Sequence, residues 1–325
     1  MITNLYWKQI ATVNIDNNKT EWFEVKRGVR QGCALSPDAF GLYGEIIMRS
    51  IADAPGISIG GHNINNIRYA DDTVLLADTP DKLQNLVNLM NAESQRLGIK
   101  INIKKTETLV AAKQEPPPRC NITINNTPIQ QREKFTYLGC IITEDGRSTQ
   151  EIERRIAMSK NAFSKMKNLL CNSRLNLATR IRTLKAYIWA TLLYGSETWT
   201  LNKNLKRKLE ATEMWFYRRM LRISWVDRIT NVEVLRRMNT QRLLLANIRK
   251  RQLNFLGHIL RAEKIEHLCI TGRIEGRRAR GRQRIKLLDS ICEEAQITRN
   301  ALIQMARDRL KWREMTAYVY DTALR

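Results

Sequence analysis

The sequence predicts an α+β protein, with short strands and helices mixed in its first third and an all-helical, basic region making up most of the rest. Three observations carry this. Through about Ala112, β-branched and aromatic runs too short for helices alternate with stretches of helical period. The prolines at 116 to 118 then interrupt the chain, since neither a helix interior nor a central strand tolerates them. From Ser148 onward the apolar spacing is helical almost throughout.

Taken in order, "LYWKQIATVNI" and "EWFEVKRGV" have the composition of strands, and Asp16 falls in a polar turn between them. "DAFGLYGEIIMRSIA" follows as a helix with Phe40, Tyr43, Ile47 and Ile51 on one face, Ser36 as its expected N-cap and Pro37 at its first position. "NIRYADDTVLLA" reads as strand, turn, strand. A second helix runs from Thr79 as cap and Pro80 to Gly98, with Leu83, Leu86, Val87 and Met90 inward. "NITINNTPIQ" predicts a small hairpin turning at Asn125-Asn126, and "KFTYLGCIIT" a further strand ended by Asp145-Gly146. Helices follow, with loops expected near Asn172, Gly195, Asn202 and Gly272.

Composition narrows the class. A 325-residue chain, 43% hydrophobic, can bury a substantial core. Its longest uncharged apolar run, "AYIWATLLYGS", falls well short of the roughly 20 residues that a membrane span needs. No secretory leader is visible in "MITNLYWKQI". Six scattered cysteines without a CxxC pair argue against a zinc knuckle or a disulfide framework and suit a reducing, intracellular compartment. His258, His267 and Cys269 have no second ligand pair at zinc spacing. Charge is divided unevenly: residues 1–112 carry 12 Lys and Arg against 12 Asp and Glu, and residues 113–325 carry 43 against 20. A neutral front and a basic back point to a polyanionic partner for the back, although lysines and arginines also simply solubilise helices.

The chemistry centres on Asp71 and Asp72. Adjacent residues on a regular strand point to opposite faces, so two carboxylates that converge on one ligand belong at a turn, as here. Asp is also a favoured turn residue with no catalytic role, and the pair alone does not decide between these readings. Its neighbours do. "RGVRQGCALSP" (27–37), "RYADDTVLLA" (68–77), "GIKINIKKTETL" (98–109) and "FTYLG" (135–139) stand in an order and spacing that closely resemble the reverse transcriptases of non-LTR (LINE-type) retrotransposons. "LLYGSETWTL" (192–201), "LNFLGHILR" (253–261), "RARGRQRIKLLD" (278–289) and "ARDRLKW" (306–312) resemble the C-terminal region of that family's endonuclease–reverse transcriptase polyproteins.

The resemblance implies a polymerase palm over residues 1–112, a hairpin and primer-grip connection over 113–147, a helical thumb over 148–230 and a basic helical region over 231–325. It implies that Asp71 and Asp72 are catalytic metal ligands and that Lys105 neutralises charge at the leaving phosphate. Arg30, Gln31, Gly32 and Tyr69 would face template and nucleotide, and Tyr137, Leu138 and Gly139 would grip the primer. Partners would be an RNA template with a DNA primer or an RNA–DNA duplex, and deoxynucleotides if the chain is active. In such enzymes two Mg²⁺ ions about 3.5–4 Å apart stabilise attacking and leaving oxygens, held by carboxylates from more than one segment. The family takes another ligand from a D-x-x-K-A-F-D-like strand ahead of the "RGVRQGC" element. That motif is absent here; before Arg27 the acidic residues are Asp16, Glu21 and Glu24.

The expectation is therefore a truncated RNA-directed DNA polymerase, inactive on its own, that binds Mg²⁺ only if the third carboxylate is supplied. The alternative is a non-catalytic nucleic-acid-binding remnant, nuclear or cytoplasmic, acting through thumb and tail. In that tail "RIEGRRARGRQRIK" (273–286) is a candidate phosphate-tracking arm through Arg277, Arg278, Arg280, Arg282, Arg284 and Lys286. It departs from the family pattern at Gln283 and Leu287. The aromatics Trp189, Trp199, Trp215, Phe216, Tyr217 and Trp225 are read as core packing rather than as base-stacking platforms.

Overall fold

The computed structural model describes residues 7–16, 18–26, 28–112, 116–262, 264–272 and 286–322. It combines helices with small antiparallel ribbons in two units, the first Met1–Glu107 with Cys120–Gln130 and the second Thr108–Arg119 with Gln131–Arg325.

In the first unit, β1 (Gln9–Ala11) pairs antiparallel with β4 (Phe23–Val25), and β2 (Asn14–Ile15) with β3 (Asn18–Lys19) around Asp16, whose φ is 49°. Helix α1 (Ser36–Arg49) leads through β5 (Ile57–Ile59) and β6 (His62–Ile64) to β7 (Asn66–Tyr69) and β8 (Asp72–Leu75). Helix α2 (Pro80–Arg96) packs on α1. Met48, Ile51 and Leu86 form the heart of a small core, flanked by Leu75, Ala77 and Met90. Pro80 and the Thr79 side chain, which accepts the Lys82 amide, start α2 as expected. Ser36 does not cap α1: its hydroxyl donates instead to the Arg30 carbonyl at 2.6 Å and ties down the preceding loop.

β9 (Glu107–Thr108) is followed by the hairpin of β10 (Thr123–Ile124) and β11 (Thr127–Pro128), which turns at Asn125 and Asn126, both at positive φ. After β12 (Gln130–Gln131), the segment expected as one strand is a second hairpin, β13 (Lys134–Tyr137) with β14 (Cys140–Thr143). Among the described residues every ribbon is two-stranded, so the strands do not merge into a continuous sheet.

The rest of the second unit is helical: α3 (Thr149–Lys165), α4 (Lys167–Leu170) and α5 (Leu177–Thr183), which runs into a π-helical turn (Leu184–Trp189) and α6 (Ala190–Leu192). Then come α7 (Lys203–Met220), α8 (Asn231–Met238), α9 (Leu244–Ala262), α10 (Ile265–Thr271), α11 (Leu287–Ala295), α12 (Arg299–Arg307) and α13 (Arg309–Thr322). Ile152, Phe163, Trp189, Leu192, Trp199, Phe216, Tyr217, Leu244 and Ile248 belong to one apolar core. Leu253, Leu256, Leu260, Ile291, Leu302 and Trp312 belong to another. Helix α9 contributes to both. Of the aromatics read as core, Trp189, Trp199, Phe216 and Tyr217 are buried, and Trp215 is half-buried between Lys160 and Arg219.

Two buried polar groups organise this unit. Glu213 accepts the backbone amides of Leu243 (2.8 Å) and Leu244 (3.1 Å) and the Tyr217 hydroxyl (2.9 Å), so a carboxylate on α7 caps the start of α9. Burial pushes its carboxyl above the usual range even against these hydrogen bonds. Arg249 reaches the Ser290 hydroxyl at 3.0 Å and Glu294 at 2.6 Å, linking α9 to α11.

Candidate functional site

Asp71 and Asp72 stand at the tip of the β7–β8 hairpin, where Tyr69 pairs with Asp72 and the loop is Ala70-Asp71. Ala70 has φ of 53°, a conformation that Gly takes without cost, so the turn is made against local preference. Both carboxylates are exposed, and among the described residues neither makes a hydrogen bond or an ion pair. Tyr69 is 65% exposed beside them. Two contacts anchor the hairpin's base and flank: the buried Asn65 amide donates to the Ile51 and Ala54 carbonyls in the turn that follows α1, and Arg68 meets Glu45 at 3.0 Å.

The other residues singled out in this unit lie on loops. Arg30 Nε donates to the Gln9 side chain at 3.0 Å, whereas Gln31 is exposed. Gly32, at φ 85°, needs its missing Cβ for backbone reasons alone, since nothing lies within 4 Å of where a Cβ would sit. Lys105 is exposed in a turn whose amide donates to the Asn102 carbonyl at 3.0 Å. No hydrogen bond or ion pair among the described residues joins Lys105 or Gln31 to the acidic pair.

Among the described residues no group of three or more His, Cys, Asp and Glu side chains is placed to hold an ion. The unpaired carboxylates have the right chemistry for Mg²⁺, but two adjacent ligands do not complete a two-ion site.

The second unit holds the expected primer-grip residues, in a different shape from the strand foreseen. Leu138 and Gly139 form the two-residue turn of the β13–β14 hairpin with φ of 46° and 77°, so both take the left-handed conformation that such a turn requires. For leucine this costs about 1–2 kcal/mol. Side chains from α3 and the 194–195 loop hold the turn. Both Arg154 and Arg155 donate to the Gly139 carbonyl, and the Tyr194 hydroxyl donates to the Leu138 carbonyl at 2.8 Å. Glu151 accepts the Ile141 amide at 2.9 Å and pairs with Arg155 at 2.6 Å and Arg154 at 2.9 Å. The Arg155 guanidinium lies over the Tyr194 ring, 4.4 Å from its centroid. Burial alone would raise the Glu151 carboxyl, but the Ile141 amide and the two guanidiniums outweigh it and hold it below the usual carboxylate range. Gly195, at φ 72°, lets its loop approach so closely that a Cβ there would lie 2.8 Å from the Cys140 sulfur.

Sequence reasoning did not single out Glu151, Arg154 or Arg155, although their i, i+3, i+4 spacing on a helix is a readable signal for an ion-pair cluster. Tyr194 lay inside a noted motif without a role. Of the basic arm, Arg277, Arg278, Arg280, Arg282 and Arg284 lie outside the described residues, and Lys286 sits exposed at the start of α11. The Trp225 side chain also lies outside them. No helix among the described residues is long and apolar enough to cross a membrane.

The segment that carries the acidic pair is similar in sequence to known proteins. Residues 1–142 match the reverse transcriptase (RNA-dependent DNA polymerase) family. A transposon-derived protein of Caenorhabditis elegans is 28% identical over 207 residues, covering 62% of this chain and 74% of that protein. Pol polyproteins of R2 retrotransposable elements are also similar: that of Nasonia vitripennis is 27% identical over 44% of this chain, and that of Drosophila melanogaster 30% over 45%. The chain spans only 15% of each of those two polyproteins. It is thus related to the reverse transcriptases of non-LTR retrotransposons.

Proposed function

We propose that the chain is the palm-and-thumb part of a non-LTR retrotransposon reverse transcriptase, an RNA-directed DNA polymerase lineage, and that these 325 residues bind primer–template without extending it. The observation that carries the reading is the exposed, unpartnered Asp71-Asp72 pair at a hairpin tip within the segment that matches the family. In this reading the first unit is palm, with Arg30, Gln31, Gly32, Tyr69 and Lys105 toward template and nucleotide. Tyr137 to Gly139 meet the primer, and the helices from α3 onward form the thumb. The basic arm, Arg277 to Lys286, tracks phosphates, and the protein works inside the cell, in nucleus or cytoplasm.

Polymerisation would require a further carboxylate from another segment or partner, with Mg²⁺ as the ion. The second reading, a remnant that only binds nucleic acid through its basic thumb and tail and belongs to no working polymerase, is favoured by the basic excess after residue 112. The test is primer extension by the full chain on an RNA template with Mg²⁺ or Mn²⁺, alongside duplex affinity at several salt concentrations. No extension is expected, with binding that weakens steeply as salt rises. Extension that disappears in Asp71→Ala would overturn the inactive reading, and undetectable or salt-insensitive binding would remove both.

A further inference from the structure

We infer that Glu151, Arg154, Arg155 and Tyr194 are positioning residues, which hold the Leu138–Gly139 turn in one shape so that its tip meets the sugar–phosphate backbone of a nucleic-acid strand. The inference rests on the proposed function and goes beyond it, because neither the family match nor the proposal assigns these four residues a role.

In a two-residue hairpin loop the carbonyls ordinarily face water, and Asn or Gly takes the left-handed positions. Here both tip carbonyls are claimed by side chains, Leu138 by Tyr194 and Gly139 by Arg154 and Arg155. Leucine is held where it is disfavoured, and the residue remains 40% exposed. A hairpin that needed only to fold would not require this. The lock is itself set: Glu151 orients both guanidiniums while accepting the β14 amide of Ile141, and the Tyr194 ring lies beneath Arg155.

The surface left exposed around the tip has a consistent character. Leu138 offers an apolar contact, Tyr194, 48% exposed as a residue, offers the ring edge and face that Arg155 leaves open, and Arg154 offers a cation whose side chain is 28% exposed. Two guanidiniums against one carboxylate leave the cluster positive. An apolar tip, an accessible ring and a cation in one place suit sugar, base edge and phosphate together. An acidic peptide would use the cation but not the tip and ring in concert.

The experiment uses the full chain with an RNA template annealed to a DNA primer that ends in a recessed 3′ terminus, and a blunt duplex of the same sequence. Tyr194→Phe removes one hydroxyl and keeps the ring under Arg155, so the fold is retained. Amide exchange at residues 138–141 should rise about tenfold, while the preference for the recessed duplex falls about fivefold or more. Arg154→Lys keeps the surface charge but loses the planar fork, and should lose the preference as well.

Unchanged exchange in Tyr194→Phe would overturn the inference, as would faster exchange with the preference intact, or full preference in Arg154→Lys. A wild-type chain that binds both duplexes equally would overturn it while leaving the proposed function standing. Binding to neither duplex would remove the proposed function, and this inference with it.

Discussion

The indole of Trp312 occupies the space beside Gly257: a Cβ on Gly257 would lie 2.3 Å from the indole nitrogen, which donates to the Leu253 carbonyl at 3.0 Å. The motifs "LNFLGHILR" and "ARDRLKW" are therefore two halves of one contact between α9 and α13. In an exposed helix Gly→Ala gains up to about 1 kcal/mol. Here Gly257→Ala should cost about 1–3 kcal/mol, because the buried ring must shift. Denaturant unfolding of the full chain checks the sign, and a gain in stability would refute the contact.

Glu151 and Arg155 are a buried ion pair, with side chains 4% and 7% exposed. Glu151→Ala leaves two guanidiniums without their anion and the Ile141 amide without its acceptor. A loss of about 3–5 kcal/mol is expected. Because the folded carboxyl lies below its unfolded value of 4.5, its contribution is present above that pH and is lost as pH falls through the folded value. The difference in unfolding free energy between wild type and Glu151→Gln should therefore shrink as the solution is acidified below about pH 4.5. A difference that stays constant would contradict the assignment.

Glu213 has the opposite sign. Its folded carboxyl is raised above 4.5, so its contribution is fully present below that pH and falls as pH rises toward the folded value. Glu213→Gln keeps an acceptor for Leu243 and Leu244 and should gain on wild type as pH increases. Glu213→Ala should lose roughly 1–3 kcal/mol, since two amides and the Tyr217 hydroxyl lose their partner in the interior. Thermal melts of both variants from acid to neutral pH give the comparison.

The acidic hairpin tip should contribute little to stability. Asp71 and Asp72 carry adjacent like charges with no basic partner among the described residues, so Asp71→Asn with Asp72→Asn should change stability by no more than about 0.5 kcal/mol. Ala70→Gly should stabilise by about 0.5–1 kcal/mol by relieving the positive φ. A marked loss of melting temperature in the double Asn variant would mean that the pair has a structural role.

What the sequence reveals of this fold depends on how local each cause is. Thr79-Pro80 and Asn125-Asn126 are legible because a cap and a turn are decided by residues within a few positions. The turn at Leu138-Gly139 is not, since leucine rarely takes a positive φ and is held there by groups 15 and 56 residues further on. Ser36 deceived in the same way: its hydroxyl met the signature of a cap, but the Arg30 carbonyl six residues earlier takes it. For the candidate site, Asp71 and Asp72 are legible at a hairpin tip because strand alternation and turn chemistry require it. The lock of Arg154, Arg155 and Tyr194 appears only once three dimensions bring α3 and the 194–195 loop to one turn.

Helix α9 spends its first half in one apolar core, through Leu244 and Ile248, and its second half in the other, through Leu253, Leu256 and Leu260. Glu213 closes its beginning, and Arg249 ties its middle to α11. Displacing this helix as a whole strips apolar cover from both cores at once. Helical arrays often come apart in stages, one repeat after another; this one has a shared axle, so the second unit should melt in a single step.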